Sequence, residues 1–222
     1  MNVLALAVHP DDETLGCGGT LLRHAGSGDK LHWLIVTAAD PALFSPDIVL
    51  RQTSQVEAVA AAYGFVSLHW LKLPSAGLER LALNVLIREI HKVAEELRPE
   101  IVYLPNRSDV HSDHRVVFSA AQAVFKSFYM GSLGVKRLLA CEVLSETDAA
   151  PPLPENAFLP NVFVDVTSTL RRKLEIMSLF QTEVHPGYLP RGLSALEALA
   201  RYRGAIVGVE YAEAFMLIRE IG

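Results

Sequence analysis

Short apolar runs alternate along the chain with longer stretches whose apolar residues recur every three or four positions. Val3–Val8 is an unbroken apolar run and reads as a buried strand, and Leu31–Thr37 and Leu68–Leu73 read the same way. Between the first two, Thr14–His24 can form a helix despite Gly16, Gly18 and Gly19. Pro46–Tyr63 is helical in pattern and is stopped by Gly64. The clearest helix follows. Leu83, Leu86, Ile87, Ile90, Val93, Ala94 and Leu97 share one face, and Pro99 ends it. Ile101–Leu104 is a fourth strand. A second amphipathic helix carries Val116, Val117, Ala120, Ala121, Val124 and Phe128 on one side, and Leu138–Leu144 is a fifth strand.

This alternation predicts an α/β fold, Rossmann-like and three-layered, with a mostly parallel sheet and helices on both faces. A Pro-rich loop (Pro151, Pro152, Pro154, Pro160) then leads to a strand at Val162–Val166, a helix over Ser168–Gln181, a helix near Ala195–Ile206 and an apolar run at Ala214–Ile218. No internal repeat or long linker divides residues 1–222, so one domain is expected.

Composition narrows the class. Half of the 222 residues are apolar and 20% are charged, which excludes a disordered chain. The net charge of -5 argues against a general nucleic-acid or anionic-membrane surface. Two cysteines, Cys17 and Cys141, are too few for a disulfide scaffold and suit a reduced, cytoplasmic protein. No stretch approaches the ~18 apolar residues of a membrane helix, and Val3–Val8 lacks the features of a signal segment.

Candidate chemistry sits at two strand ends, where open parallel sheets bind ligands. His9-Pro10-Asp11-Asp12-Glu13 follows the first strand; Asp109-Val110-His111-Ser112-Asp113-His114 follows the fourth. A catalytic zinc takes three ligands from His and Asp/Glu and keeps one position open. Adjacent Asp11 and Asp12 diverge, so one can ligate while the other stays free as a general base. His111 and His114 are three apart. If Ser112 caps a helix, both face one side, one as ligand and one as proton donor. Helix capping alone would explain either cluster, but both clusters together are better explained by a metal site. Gly16-Cys17-Gly18-Gly19 fails as a dinucleotide loop because Leu21 stands where G-x-G-x-x-G needs glycine.

At these residues the sequence resembles the PIG-L/LmbE-like zinc-dependent deacetylases, which remove acetyl from N-acetylglucosamine-type substrates. The family's (A/P)HPDD(E/D) motif stands here as Ala7-Val8-His9-Pro10-Asp11-Asp12-Glu13. Its HxDH motif stands as His111-Ser112-Asp113-His114, and Tyr211-Ala212-Glu213-Ala214-Phe215 looks like its C-terminal segment. The resemblance implies His9, Asp12 and His114 as zinc ligands and Asp11 as general base. His111 would stabilise the oxyanion and pass a proton to the leaving amine, with Asp113 orienting His111. A two-His-one-carboxylate set also suits ferrous iron.

Relatives carry Arg and then Glu three residues on in the second helix. Here the stretch is Arg51-Gln52-Thr53-Ser54-Gln55, so Arg51 is a candidate substrate contact and the acid is missing. Ser75 replaces an Asp after the third strand's proline. His185 falls in the region that lines the pocket in relatives and is a second candidate substrate contact, with Gln181 a weaker one. The expected partner is a small-molecule or saccharide substrate; homo-oligomers are common among relatives, and the resemblance leaves the assembly of this chain open. The rival readings are an amidase on another acylated amine, such as a thiol conjugate or natural product, and a non-catalytic metal-binding module.

Overall fold

The computed structural model describes residues 1–222. Seven strands, β1 (Asn2–Ala7), β2 (Lys30–Ala38), β3 (Ser67–Pro74), β4 (Ile101–Leu104), β5 (Arg137–Cys141), β6 (Val162–Asp165) and β7 (Ala212–Glu220), form one sheet in the order β3-β2-β1-β4-β5-β7-β6. The first five are parallel; β7 runs antiparallel to both β5 and β6.

The helices are α1 (Asp12–Gly26), α2 (Pro46–Tyr63), α3 (Leu83–Leu97), α4 (Ser112–Val124), the short α5 (Ser127–Met130), α6 (Leu170–Met177) and α7 (Leu193–Val207). Strand alternation divides the core in two. Leu4, Leu6, Val8, Leu34 and Val36 pack against Leu86, Ile90 and Val93 of α3 and Val117 and Ala121 of α4. On the other face Val3, Ala5, Trp33 and Ile35 meet Leu21 of α1, Val56 and Val59 of α2, Ile176 of α6 and Leu196 of α7. This is a three-layer α/β fold.

Three local expectations are corrected. The amphipathic helix of the fourth crossover ends at Val124, and Phe128 is 74% exposed on the separate turn α5 rather than on the apolar face. The helix expected over Ser168–Gln181 contracts to Leu170–Met177. The cap of α4 is His111 itself, whose Nδ1 accepts the Asp113 N–H at 3.1 Å, rather than Ser112.

The glycines after the first motif are packing residues. A Cβ on Gly16 would lie 2.7 Å from that of Cys141, one on Gly19 would lie 2.8 Å from Val166, and one on Gly18 would collide with the Tyr63 hydroxyl. They let α1 lie close on β5, on α2 and α6, and on the turn after β6. Cys17 and Cys141 are buried and free. No helix is long and apolar enough to cross a membrane.

Candidate active site

Strand order reverses at β1: β2 and β3 lie to one side of it, β4 and β5 to the other. The loops leaving β1 and β4 therefore open a crevice at the carboxyl edge of the sheet, where the two motifs meet. Thr37 and Ala38 at the end of β2, Ala39 just beyond it, and Ser75 and Ala76 after β3 line the same cavity, of about 250 Å³.

Three donors converge there. His114 Nε2 lies 3.3 Å from His9 Nδ1 and 3.4 Å from Asp12 Oδ2, and His9 Nδ1 lies 3.8 Å from that oxygen. Ligand distances of about 2.0–2.1 Å in a tetrahedral site put donors roughly 3.3–3.4 Å apart, so this triangle fits one face of such a site. The outer nitrogens fix the tautomers. His9 Nε2 faces Asp113 Oδ2 at 3.3 Å, and His114 Nδ1 faces Asp109 Oδ2 at 2.8 Å. With each outer nitrogen protonated toward its carboxylate, both inner nitrogens present lone pairs to one another. Facing lone pairs beside a carboxylate oxygen suit a cation and repel otherwise. His9, Asp12 and His114 can therefore hold a divalent metal ion.

The supporting contacts are buried. Asp109 is fully enclosed and its Oδ1 accepts the Thr147 hydroxyl at 2.7 Å. Asp113 accepts the backbone N–H of Ala76 (2.7 Å) and Leu78 (3.0 Å). Burial pushes the Asp113 pKa up, but His9 and these two amides outweigh it and hold the carboxyl at about 2. Burial opposes charge on His114 too, yet without a cation Asp12 and Asp109 lift its pKa to about 9, so a metal ion takes the Nε2 lone pair by displacing a proton. Here the structure departs from the resemblance: the Asp113 carboxylate is nearer His9 (3.3 Å) than His111 (3.9 Å), so it orients His9. Asp113 meets His111 through its backbone N–H instead.

Asp11 and Asp12 point apart. Asp12 Oδ2 accepts the N–H of Val8 (3.0 Å) and His9 (2.7 Å), which turns its carboxylate back onto its own loop. Asp11 has φ 127°, a conformation uncommon for a residue with a Cβ, and lines the cavity. Burial, and then Asp12, raise its pKa well above the ordinary carboxylate value, against the pull of Arg191. His111 also lines the cavity. Its Nδ1 is occupied by the Asp113 amide, so Nε2 carries the proton.

Arg191, from the loop before α7, closes one wall. Its Nη1 donates to Asp11 Oδ2 (3.1 Å) and Glu183 (2.9 Å), Nη2 to Glu146 (3.2 Å) and Nε to the Ser145 hydroxyl (2.8 Å). The sequence held no local sign of this residue. Glu146 follows β5, so the strand-end rule that found the other two clusters could have found it. Asp109 lay within the second cluster but carried no role.

The two candidate substrate contacts lie elsewhere. Arg51 is exposed on α2 and pairs with Asp47 at 2.9 Å; its neighbour Gln52 lines the cavity in its place. One residue along a helix turns a side chain by ~100°, enough to leave the site. His185 is exposed and does not line the cavity, and neither does Gln181. Ser75 lines it, whereas Gln55 accepts the Thr182 hydroxyl outside it.

Comparison with known proteins agrees with this layout. A diacetylchitobiose deacetylase of Thermococcus kodakarensis is 25% identical over 228 residues, covering 97% of this chain and 82% of the relative. The structure of an N,N'-diacetylchitobiose deacetylase from Pyrococcus horikoshii superposes with TM-score 0.78 at 19% identity, covering 98% of this chain and 83% of that one. GalB, the 4-carboxy-2-hydroxymuconate hydratase of Pseudomonas putida, gives TM-score 0.76 at 18% identity, covering 100% and 97%. These two structural likenesses establish the fold only. The GlcNAc-PI de-N-acetylase family model matches residues 4–125, more than half the chain and the span that contains both motifs. The crevice at the strand-order reversal is thus built from the segment that defines that family, and the chain belongs to the PIG-L family.

Proposed function

We propose that this protein is a zinc-dependent hydrolase that removes the N-acetyl group from an N-acetylglucosamine-type sugar or sugar conjugate, releasing acetate and a free amine. The observation that carries the reading is the convergence of His9 Nδ1, His114 Nε2 and Asp12 Oδ2, 3.3–3.8 Å from one another, next to a cavity lined by Asp11 and His111. When bound by His9, Asp12 and His114, zinc would supply a Lewis acid that polarises the amide carbonyl and lowers the pKa of water toward ~7.

The other roles fall to this chain's own groups. Asp11 takes the proton from the attacking water, its orientation fixed by Arg191. His111 donates its Nε2 proton toward the oxygen on which negative charge develops, a contact of the kind that contributes ~2.7–4 kcal/mol. The same Nε2 passes its proton to the departing nitrogen as the proton that Asp11 took from water replaces it, so His111 is not left as an imidazolate and the site returns to its starting state. Asp113 and Asp109 hold His9 and His114 in their ligating tautomers. Residues 1–222 act as one catalytic domain. The cavity of about 250 Å³ lies just below the ~300–1,000 Å³ of drug-sized sites and suits one sugar ring.

The test is acetate release from N-acetylglucosamine conjugates before and after metal removal and zinc add-back. Activity lost on chelation and regained with zinc supports the reading; turnover that survives metal removal overturns it. A fold that also carries a hydratase makes acetate, rather than metal content, the deciding readout.

A further inference from the structure

The cavity wall that faces solvent is built from the segment between β2 and α2. Asp40 organises a tight turn there. Its backbone carbonyl accepts the N–H of Leu43 and Phe44, and its side chain accepts the N–H of Ala42 at 2.8 Å. Ser45 then caps α2, and Gln52 reaches back to the Ala39 N–H at 2.8 Å. This framework fixes three apolar side chains in the open: Leu43 is 69% exposed, Phe44 40% and Ile48 37%. Phe44 and Ile48 also line the cavity, so the apolar shelf is continuous with the site.

The charges of the cavity complete the picture. Arg191 is its one arginine and there is no lysine. All three guanidinium nitrogens of Arg191 are engaged, by Asp11, Glu183, Glu146 and Ser145. Three carboxylates thus surround a single cation, and Asp12 adds a fourth negative charge. Even with a divalent ion bound, formal charge over these groups stays negative. The nearest arginine on α2, Arg51, is committed to Asp47 and points away. A phosphate or carboxylate entering this site would find no free donor fork and a field of its own sign.

We infer that the pocket selects N-acetylated sugars with an uncharged, apolar aglycone, seated on Phe44 and Ile48, and rejects those with a phosphate or carboxylate beside the sugar. This rests on the deacetylase reading above and names the substrate class within it.

The experiment compares kcat/KM for acetate release by the zinc-loaded protein from three compounds: the n-butyl glycoside of N-acetylglucosamine, its methyl glycoside, and N-acetylglucosamine 1-phosphate. The butyl glycoside is expected to exceed the phosphate at least tenfold, mainly through KM, with the methyl glycoside between. Ile48→Lys, on the exposed first turn of α2, is expected to narrow that gap by raising activity on the phosphate and lowering it on the butyl glycoside. Equal or faster turnover of the phosphate overturns the inference and leaves the deacetylase reading standing. No acetate from any of the three overturns both. An Ile48→Lys variant that dissociates an oligomer in sedimentation while keeping the wild-type substrate order assigns the shelf to a second copy of the chain, and overturns the inference as well.

Discussion

Asp11 and Arg191, 180 residues apart in sequence, meet at 3.1 Å across the candidate site. The guanidinium takes Asp11 Oδ2 and leaves the other carboxylate oxygen to the cavity. Lysine at this position keeps the charge but loses the planar fork that joins Asp11, Glu183, Glu146 and Ser145. Arg191→Lys is therefore expected to bind zinc with wild-type stoichiometry while kcat falls about 10–100-fold, in the range seen when supporting partners of a site are removed. Steady-state kinetics with metal analysis check this. An unchanged kcat would mean that Arg191 only closes the wall.

The adjacent aspartates should separate cleanly. Asp12 lies 3.4 Å from His114 Nε2, whereas Asp11 turns to Arg191. Asp11→Asn is expected to retain zinc and lose roughly 10²–10⁴-fold in kcat, the usual contribution of a general base. Asp12→Asn is expected to lose the metal itself. Metal content by elemental analysis beside acetate release decides the assignment. Zinc lost from Asp11→Asn and kept by Asp12→Asn would reverse the two roles.

The Asp113 carboxylate offers a sharper test, because the family resemblance and the structure point it at different histidines. If it served His111, its removal would lower kcat and spare the metal. Its 3.3 Å contact to His9, with the Ala76 and Leu78 amides behind it, makes it a support for a ligand instead. Asp113→Asn and Asp109→Asn should each weaken zinc affinity by about 10–100-fold, read in competition with a chelating dye. Affinity unchanged in Asp113→Asn would return that carboxylate to His111.

These cases also mark what one-dimensional patterns can carry. Apolar periodicity sets α2 and α3 to the residue, since each buries a regular face between a turn residue or cap and a stop. It overruns α4, because Phe128 has the right spacing but lies beyond the chain's departure at Phe125. The two metal-capable clusters were visible because each is short and sits at a strand end. Arg191 was not, since its partners Asp11, Glu146 and Glu183 come from three separate segments. Arg51 misled for a related reason: which of two neighbouring helical residues enters the cavity depends on how α2 rotates against the sheet.

Acid stability should carry the mark of His32. This residue on β2 is buried, its Nδ1 meets the Ser67 hydroxyl at 2.8 Å, and Nε2 has no partner. Burial, helped by His69 and Lys30, lowers its pKa below the usual 6.5. The unfolded chain therefore binds a proton here at a higher pH than the folded one. Stability is fully present above pH 6.5 and is lost as pH falls from there toward the folded value. His32→Leu should remove that slope, so that the melting temperature of the variant gains on wild type as pH drops from 7 to 5. A difference that stays constant over that window would show that His32 does not titrate between the two states.

The C-terminal motif is expected to act on stability rather than chemistry. Helix α1 breaks at Cys17, where φ is -142° and ψ is 16°. The break frees the N–H groups of Gly19 and Thr20, and Glu213 accepts them at 2.8 and 2.7 Å. Lys173 donates to the same carboxylate at 2.7 Å and to the Leu15 carbonyl at 2.9 Å, so an ion pair with both side chains 4% exposed splices the two halves of α1. Removing one partner of a buried pair leaves the other charge uncompensated, which costs about 3–5 kcal/mol. Glu213→Ala should lose stability in that range by urea unfolding. Lys173→Met should lose less, because Glu213 keeps two amide donors. The double variant should cost less than the sum of the two single changes. A Glu213→Ala loss below about 1 kcal/mol, the range of an exposed pair, would exclude the splice.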